Sequence, residues 1–159
     1  MGNQLVIDVD RCTGCRSCET ACSFAHYEEF NPRKSAVRVS IFTEDAFFLP
    51  QVCLQCAEPA CAAVCPSGAM HAAEIDGSYV VSLNRDRCVG CHMCTLACPF
   101  GAVEDDGRGC VRKCDLCGGH PACVEACATK ALDFAAVDSS PRAKRRAMAD
   151  KMRLEGGNR

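Results

Sequence analysis

The chain has 159 residues, a formal net charge of −2, 24% charged residues and 17 cysteines. Leu, Ile, Val and Phe make up just under a fifth of it, which excludes a fold held together by aliphatic packing alone. The length fits one domain or two merged halves, and no apolar run reaches the length of a membrane span.

The opening MGNQLVIDVD has no basic start, no apolar segment and no twin arginine, and Val6 stands where a myristoylation signal needs Ser or Thr. A cytoplasmic, reduced setting is expected. There, dense cysteines point to metal rather than to disulfides.

In chain order, a short β-rich stretch, LVIDVD, leads into the first cysteine group, Cys12, Cys15, Cys18 and Cys22. The connector 24–51 follows; residues 36–42 alternate as a strand, and residues 47–49 offer it a partner. Cys53, Cys56, Cys61 and Cys65 form the second group. Residues 70–83 read as a hairpin around Asp76-Gly77, a favoured turn pair. The stretch VVSLNRDRCVGCHMC then repeats LVIDVDRCTGCRSC and opens the third group, Cys88, Cys91, Cys94 and Cys98. Cys114, Cys117, Cys123 and Cys127 form the fourth. PSGAM, PFGAV and ATKAL after the last three groups fit a loop turning back into a strand. Short helices are expected after the third cysteine of each group.

Every group opens with C-x2-C and closes with C-x3-C. The run C-x2-C-x2-C-x3-C, followed by Pro in the third group, is the ferredoxin signature for a [4Fe–4S] cluster. Three closely spaced thiols wrap one cube, and the fourth, a helical turn later, points to a neighbouring one. Structural zinc needs only two C-x2-C pairs per ion and has no use for the third close cysteine. Spacing leaves the pairing open: groups one with two and three with four, or one with four and two with three. Cys110 is left over and reads as a free structural thiol. His26, His71, His92 and His120 show no ligand spacing among themselves, and only His92, inside the third loop, is placed to tune a cluster.

With four quartets in this order, the chain resembles the four-cluster electron-transfer subunits that accompany dimethyl-sulfoxide-reductase-type, formate-dehydrogenase and hydrogenase catalytic chains. CLQCAEPACAAVCPSGAM, CVGCHMCTLACPFGAV and KCDLCGGHPACVEACATKAL carry the resemblance. It implies an α+β fold of two fused bacterial-ferredoxin-like modules around four [4Fe–4S] clusters, with nested pairing. Carried over, Cys12, Cys15, Cys18 and Cys127 hold one cluster, and Cys22, Cys114, Cys117 and Cys123 a second. Cys53, Cys56, Cys61 and Cys98 hold a third, and Cys65, Cys88, Cys91 and Cys94 a fourth. Ser23 and Ala128 stand where the family often has Pro after the last cysteine.

The opening block RCTGCRSCETACSFAHYEEFNPRKSAVRV is similar to the small subunits beside tungsten-pterin aldehyde oxidoreductases and class II benzoyl-CoA reductases. The resemblance implies a large pterin-containing catalytic partner and a flavin- or NAD-binding subunit or ferredoxin as the other redox contact. The aldehyde oxidoreductase is the expected partner; the alternative is a free-standing polyferredoxin, or the small subunit of a class II benzoyl-CoA reductase, formate dehydrogenase or hydrogenase complex. No catalytic residue is expected, because relaying single electrons needs no proton chemistry. A domain of this size has a radius of gyration of roughly 15 Å, and a row of clusters divides that thickness into short hops.

Residues 1–138 are expected to form the cluster-bearing domain and residues 139–159 a basic helical tail. The tail has seven Lys or Arg against two acids, leaving eleven basic and eighteen acidic residues in the body. Ser140-Pro141 suits a helix start and Gly156-Gly157 a stop. The tail reads as a solvated helix or a docking arm. Opposite charges on tail and body suggest head-to-tail self-association. No DNA-reading motif accompanies the basic run, so nucleic acid is not an expected partner.

Overall fold

The structure, a computed structural model, describes residues 3–75 and 77–136. The expected basic tail lies outside the described residues. Among the described residues, eight strands pair into four separate two-stranded antiparallel sheets, with four α-helices and four short 3-10 turns between them. This is a mixed α+β, ferredoxin-like architecture, as expected from the cysteine-loop repeats.

The first strand, β1 (Asn3–Ile7), pairs with the last, β8 (Leu132–Ala136), in the register Asn3↔Ala136 to Ile7↔Leu132. Helix α1 (Ser17–Tyr27) packs on α4 (Ala122–Glu125), so the two ends of the described chain build one unit. Within it α2 (Ala60–Ala63) packs on α3 (Met93–Ala97), beside the hairpin β4 (Met70–Ile75) and β5 (Ser78–Leu83). Gly77 turns that hairpin at φ +74°. The last sheet joins β6 (Val103–Asp105) to β7 (Val111–Lys113).

The connector behaves as its alternation predicts. Strand β2 (Arg38–Phe42) pairs with β3 (Phe47–Gln51), with Phe42 opposite Phe47. Two carboxylates fix this hairpin to the rest. Glu19 of α1 is 1% exposed; it accepts the Val39 N–H at 2.7 Å and the Arg16 Nε–H at 2.8 Å. Glu104 of β6 accepts from Arg38 at 3.0 Å and also from Arg112 of β7. A buried carboxylate such as Glu19 is costly unless charge-paired and hydrogen-bonded, and both it and the half-buried Glu104 are.

The helices differ from expectation in one respect. They do not follow the third cysteine of each quartet; they begin one residue before it. Cys18, Cys61, Cys94 and Cys123 each occupy the second helical position. The physical reason is the loop before them. Arg16 and His92 adopt left-handed φ of 60° and 57°, and Pro59 and Pro121 are extended, so all four segments enter the first turn just ahead of the thiol.

The core is thin and built around sulfur. One buried cluster gathers Cys18, Cys22 and Cys123 with Val37, Val52 and Leu132. A second gathers Cys61 and Cys94 with Met70, Val81, Val103 and Val111. A third joins Cys53 and Cys114 to Val80 and Leu116. Among the described residues, no helix is long and apolar enough to cross a membrane.

Candidate iron–sulfur sites

Each C-x2-C is shaped by a backbone reversal at the residue before its second cysteine. Gly14, Gln55, Gly90 and Leu116 have φ of 69°, 48°, 66° and 57°. Left-handed backbone costs an L-residue roughly 1–2 kcal/mol. Its recurrence at Gln55 and Leu116, where no glycine relieves it, shows that the loop geometry is imposed by the fold. Both side chains are committed elsewhere: Leu116 is fully buried, and the Gln55 amide bonds the Cys114 carbonyl at 3.0 Å and the Val81 N–H at 2.9 Å.

The fourth cysteines share a different device. Each sulfur accepts a backbone N–H: Cys65 from Met70 at 3.4 Å, Cys98 from Ala102 at 3.4 Å, and Cys127 from Leu132 at 3.5 Å. Gly68, Gly101 and Lys130, each three residues past its cysteine, turn the chain back at φ of 61°, 63° and 56°. Cys22 lies at the longest connector, and its donor is Ala36 N–H at 3.4 Å. One hydrogen-bond arrangement is thus met by two different routes.

Electrostatics follow position within the quartet. Burial pushes the third thiols up: Cys18 to about 11, with Cys61, Cys94 and Cys123 also raised. Burial of Cys114 pushes it to about 12. Burial also acts on Cys22, Cys65 and Cys127, but their hydrogen-bond donors outweigh it and hold these thiols below the ordinary range. Iron takes thiolates, so assembling a centre on the buried thiols releases their protons.

The thiols converge in a definite way. One cavity is lined by Cys12, Cys15, Cys18 and Cys127, and another by Cys53, Cys56, Cys61 and Cys98. Cys22 and Cys123 share one buried cluster with Cys18, and Cys65, Cys88 and Cys98 pack against another that contains Cys61 and Cys94. Among the described residues, no three cysteine sulfurs lie mutually within 4.8 Å. Four thiols gathered from two quartets around one cavity are a donor set that suits an iron–sulfur centre.

His26, which has no ligand spacing in the sequence, is tied to the fourth quartet. Its Nδ1 lies 2.9 Å from the Cys22 carbonyl and its Nε2 3.0 Å from Asp115 Oδ1. Its ligand nitrogen, an Asp115 oxygen and the Cys117 sulfur lie within 4.8 Å of one another. The hydrogen bond to Asp115, then those to Cys117 and Cys22, hold the imidazole well above its usual range. The available signal is its place four residues after Cys22 on one helix face. His92 caps α3, with Nε2 3.9 Å from Asp105. Burial first, and then the neighbouring Cys88, push the Cys110 thiol up, so the leftover thiol is not remote from the third quartet.

The 4Fe-4S dicluster domain family matches residues 44–137, and a second family of the same description matches residues 11–70. One subunit of the anaerobic dimethyl sulfoxide reductase of Escherichia coli K12 is 41% identical over 153 residues, covering 83% of this chain and 72% of that subunit. The chain belongs to the 4Fe-4S dicluster family of ferredoxin-like electron-transfer subunits. Another dicluster relative, the polyferredoxin-like subunit of an aliphatic sulfonate oxidoreductase from Pyrococcus furiosus, is 41% identical, covering 77% of this chain and 70% of that one. The putative electron transport protein YsaA of Escherichia coli K12 is 37% identical, covering 89% and 95%. Among solved structures, the active site complex BamBC of benzoyl coenzyme A reductase with benzoyl-CoA contains a similar chain. It has a TM-score of 0.52 and 27% identity, with 92% of this chain and 87% of that chain covered. Like its dicluster relatives, this chain is an iron–sulfur electron-transfer subunit rather than a catalytic one.

Proposed function

We propose that this chain carries four [4Fe–4S] clusters in the nested pairing and relays single electrons to or from a large catalytic oxidoreductase chain. The observation that carries the reading is the lining of two cavities by three cysteines of one quartet and the last cysteine of another. When bound, each cluster stores and passes one electron at a time. The residues do the rest. The left-handed loops aim three thiols inward, and the backbone N–H donors to Cys22, Cys65, Cys98 and Cys127 stabilise negative charge on sulfur.

For the partner, the likeness to the BamBC complex favours a catalytic chain of the benzoyl-CoA-reductase kind over the tungsten-pterin aldehyde oxidoreductase expected from the opening block. A second reading, a free-standing carrier, is supported by the likeness to the putative electron transport protein YsaA. Anaerobic co-purification from the native cell separates the two: a stoichiometric large subunit supports the complex, and a lone chain supports the carrier.

Iron analysis tests the relay itself. It should give about 16 iron atoms per chain, four for each cluster. Cys12→Ala and Cys127→Ala should each lose the same EPR signal, and the double variant no further one. Four irons or fewer with zinc present would refute the relay; loss of two different signals would refute nesting.

A further inference from the structure

The cavity walled by Cys53, Cys56, Cys61 and Cys98 has one charged side chain in its lining, Lys113; its other walls are apolar, among them Leu54, Val81, Phe100 and Val103. Lys113 is half-buried and immediately precedes Cys114, the first thiol of the last quartet. Cys53 and Cys114 in turn share one buried cluster. The lysine therefore stands where thiols that the nested pairing gives to two different centres meet.

Its ammonium is held by neutral groups. Nζ donates to the Cys114 carbonyl at 2.9 Å and to Gln55 Oε1 at 3.2 Å. The buried Gln55 amide is itself fixed, by the Cys114 carbonyl and the Val81 N–H. Other cations are answered by carboxylates: Arg16 by Glu19, Arg85 by Asp106, and Arg38 and Arg112 by Glu104. The matching cavity of the first quartet shows the contrast, since it is lined by Arg16, whose charge Glu19 neutralises. Among the described residues, no carboxylate lies within ion-pair distance of Lys113. A charge withdrawn from water normally meets a counter-charge, and the thiols of this cavity become anionic on taking iron. Burial pushes the Cys61 and Cys114 thiols up, and the Lys113 charge draws both down.

We propose that Lys113 tunes the relay: its ammonium is the counter-charge of the centre held by Cys53, Cys56, Cys61 and Cys98, and it stabilises an electron added there. The inference rests on the cluster reading above. Gln55 is the positioning residue, because its amide fixes the ammonium against the Cys114 carbonyl. A half-buried cation acts on a nearby one-electron couple more strongly than a surface cation does, since solvent and salt screen it less.

Dithionite titration of the cluster-loaded protein, followed by EPR at controlled potential, reads the centres separately. The signal lost in Cys56→Ala marks the centre beside Lys113, and the signal lost in Cys12→Ala serves as the control. Lys113→Gln keeps an N–H donor but removes the charge. It should make reduction of the marked centre about tenfold less favourable, about 59 mV for one electron, and move the control by less than about twofold. Lys113→Arg, which keeps the charge, should return the marked centre to within about twofold of wild type. Lys113→Met preserves the apolar stem and should show the same loss, so it replaces Lys113→Gln if that variant does not fold. An unchanged potential in the neutral variants, an equal shift of every centre, or no recovery in Lys113→Arg would overturn the proposal. Full iron in each variant would leave the relay reading intact whatever these potentials show.

Discussion

Gly90, between Cys88 and Cys91, has φ +66°, and a Cβ built there would stand 2.4 Å from the carbonyl oxygen of Gly109. Ordinary van der Waals contact begins at 3.4 Å, so Gly90→Ala requires the β6–β7 loop to retreat by about 1 Å or the cysteine loop to distort. Left-handed strain adds about 1–2 kcal/mol and overpacking against backbone a further 1–3 kcal/mol. Gly101→Ala isolates the first contribution, because Gly101 has φ +63° with nothing within 4 Å of its Cβ position. Both variants are compared by anaerobic thermal denaturation followed through cluster absorbance, with iron counted per chain. Gly101→Ala should lower the midpoint modestly. Gly90→Ala should lower it by roughly a further 2–4 °C per kcal/mol of clash and should lose iron during purification. Equal midpoints and equal iron in the two variants would refute the close approach of these loops.

Glu104→Gln tests the bridge between the connector and β6–β7. Burial raises this carboxyl, but Arg38 and Arg112 outweigh it and hold it below its ordinary value of 4.5. Its contribution is therefore fully present above that value and is lost as pH falls through the lower, folded one. The variant should cost about 1–2 kcal/mol at pH 7, allowing for solvent screening, and the gap to wild type should close in acid. Thermal midpoints across pH check this; a constant gap counts against it. Glu19→Ala leaves the half-buried Val39 N–H without its acceptor and should cost about 1–3 kcal/mol, with faster hydrogen exchange at Val39. Lys130→Gly places the residue used by quartets two and three at an exposed left-handed position, φ 56°. It should raise stability by about 0.5–1 kcal/mol, read as a higher midpoint; a lower one would show that the lysine side chain contributes there.

Much of the local structure is legible in the sequence because cysteine spacing and turn residues are short-range signals. The hairpin at residues 70–83 and the strand after PSGAM, PFGAV and ATKAL follow from them. The glycines of C-T-G-C and C-V-G-C announce a left-handed turn. Gln55 and Leu116 do not, since the strain there is offset by tertiary contacts invisible in a single sequence. The helix starts, which lie ahead of the third cysteines rather than after them, escape local reading for the same reason. The entry geometry of Arg16 and His92 is set by loops, not by helix propensity. The tie between His26 and Asp115 spans 89 positions and joins two quartets, so no local pattern could disclose it.

The pairing of β1 with β8 has a consequence for biosynthesis. Asn3 lies opposite Ala136, so the first strand has no sheet partner until nearly all the described chain has left the ribosome. The α2–α3 unit with its β4–β5 hairpin is complete far sooner and is made of contacts closer in sequence. Because closing a short loop is faster than closing a long one, the inner unit is expected to mature first, and the unit that joins the two ends of the described chain only after it.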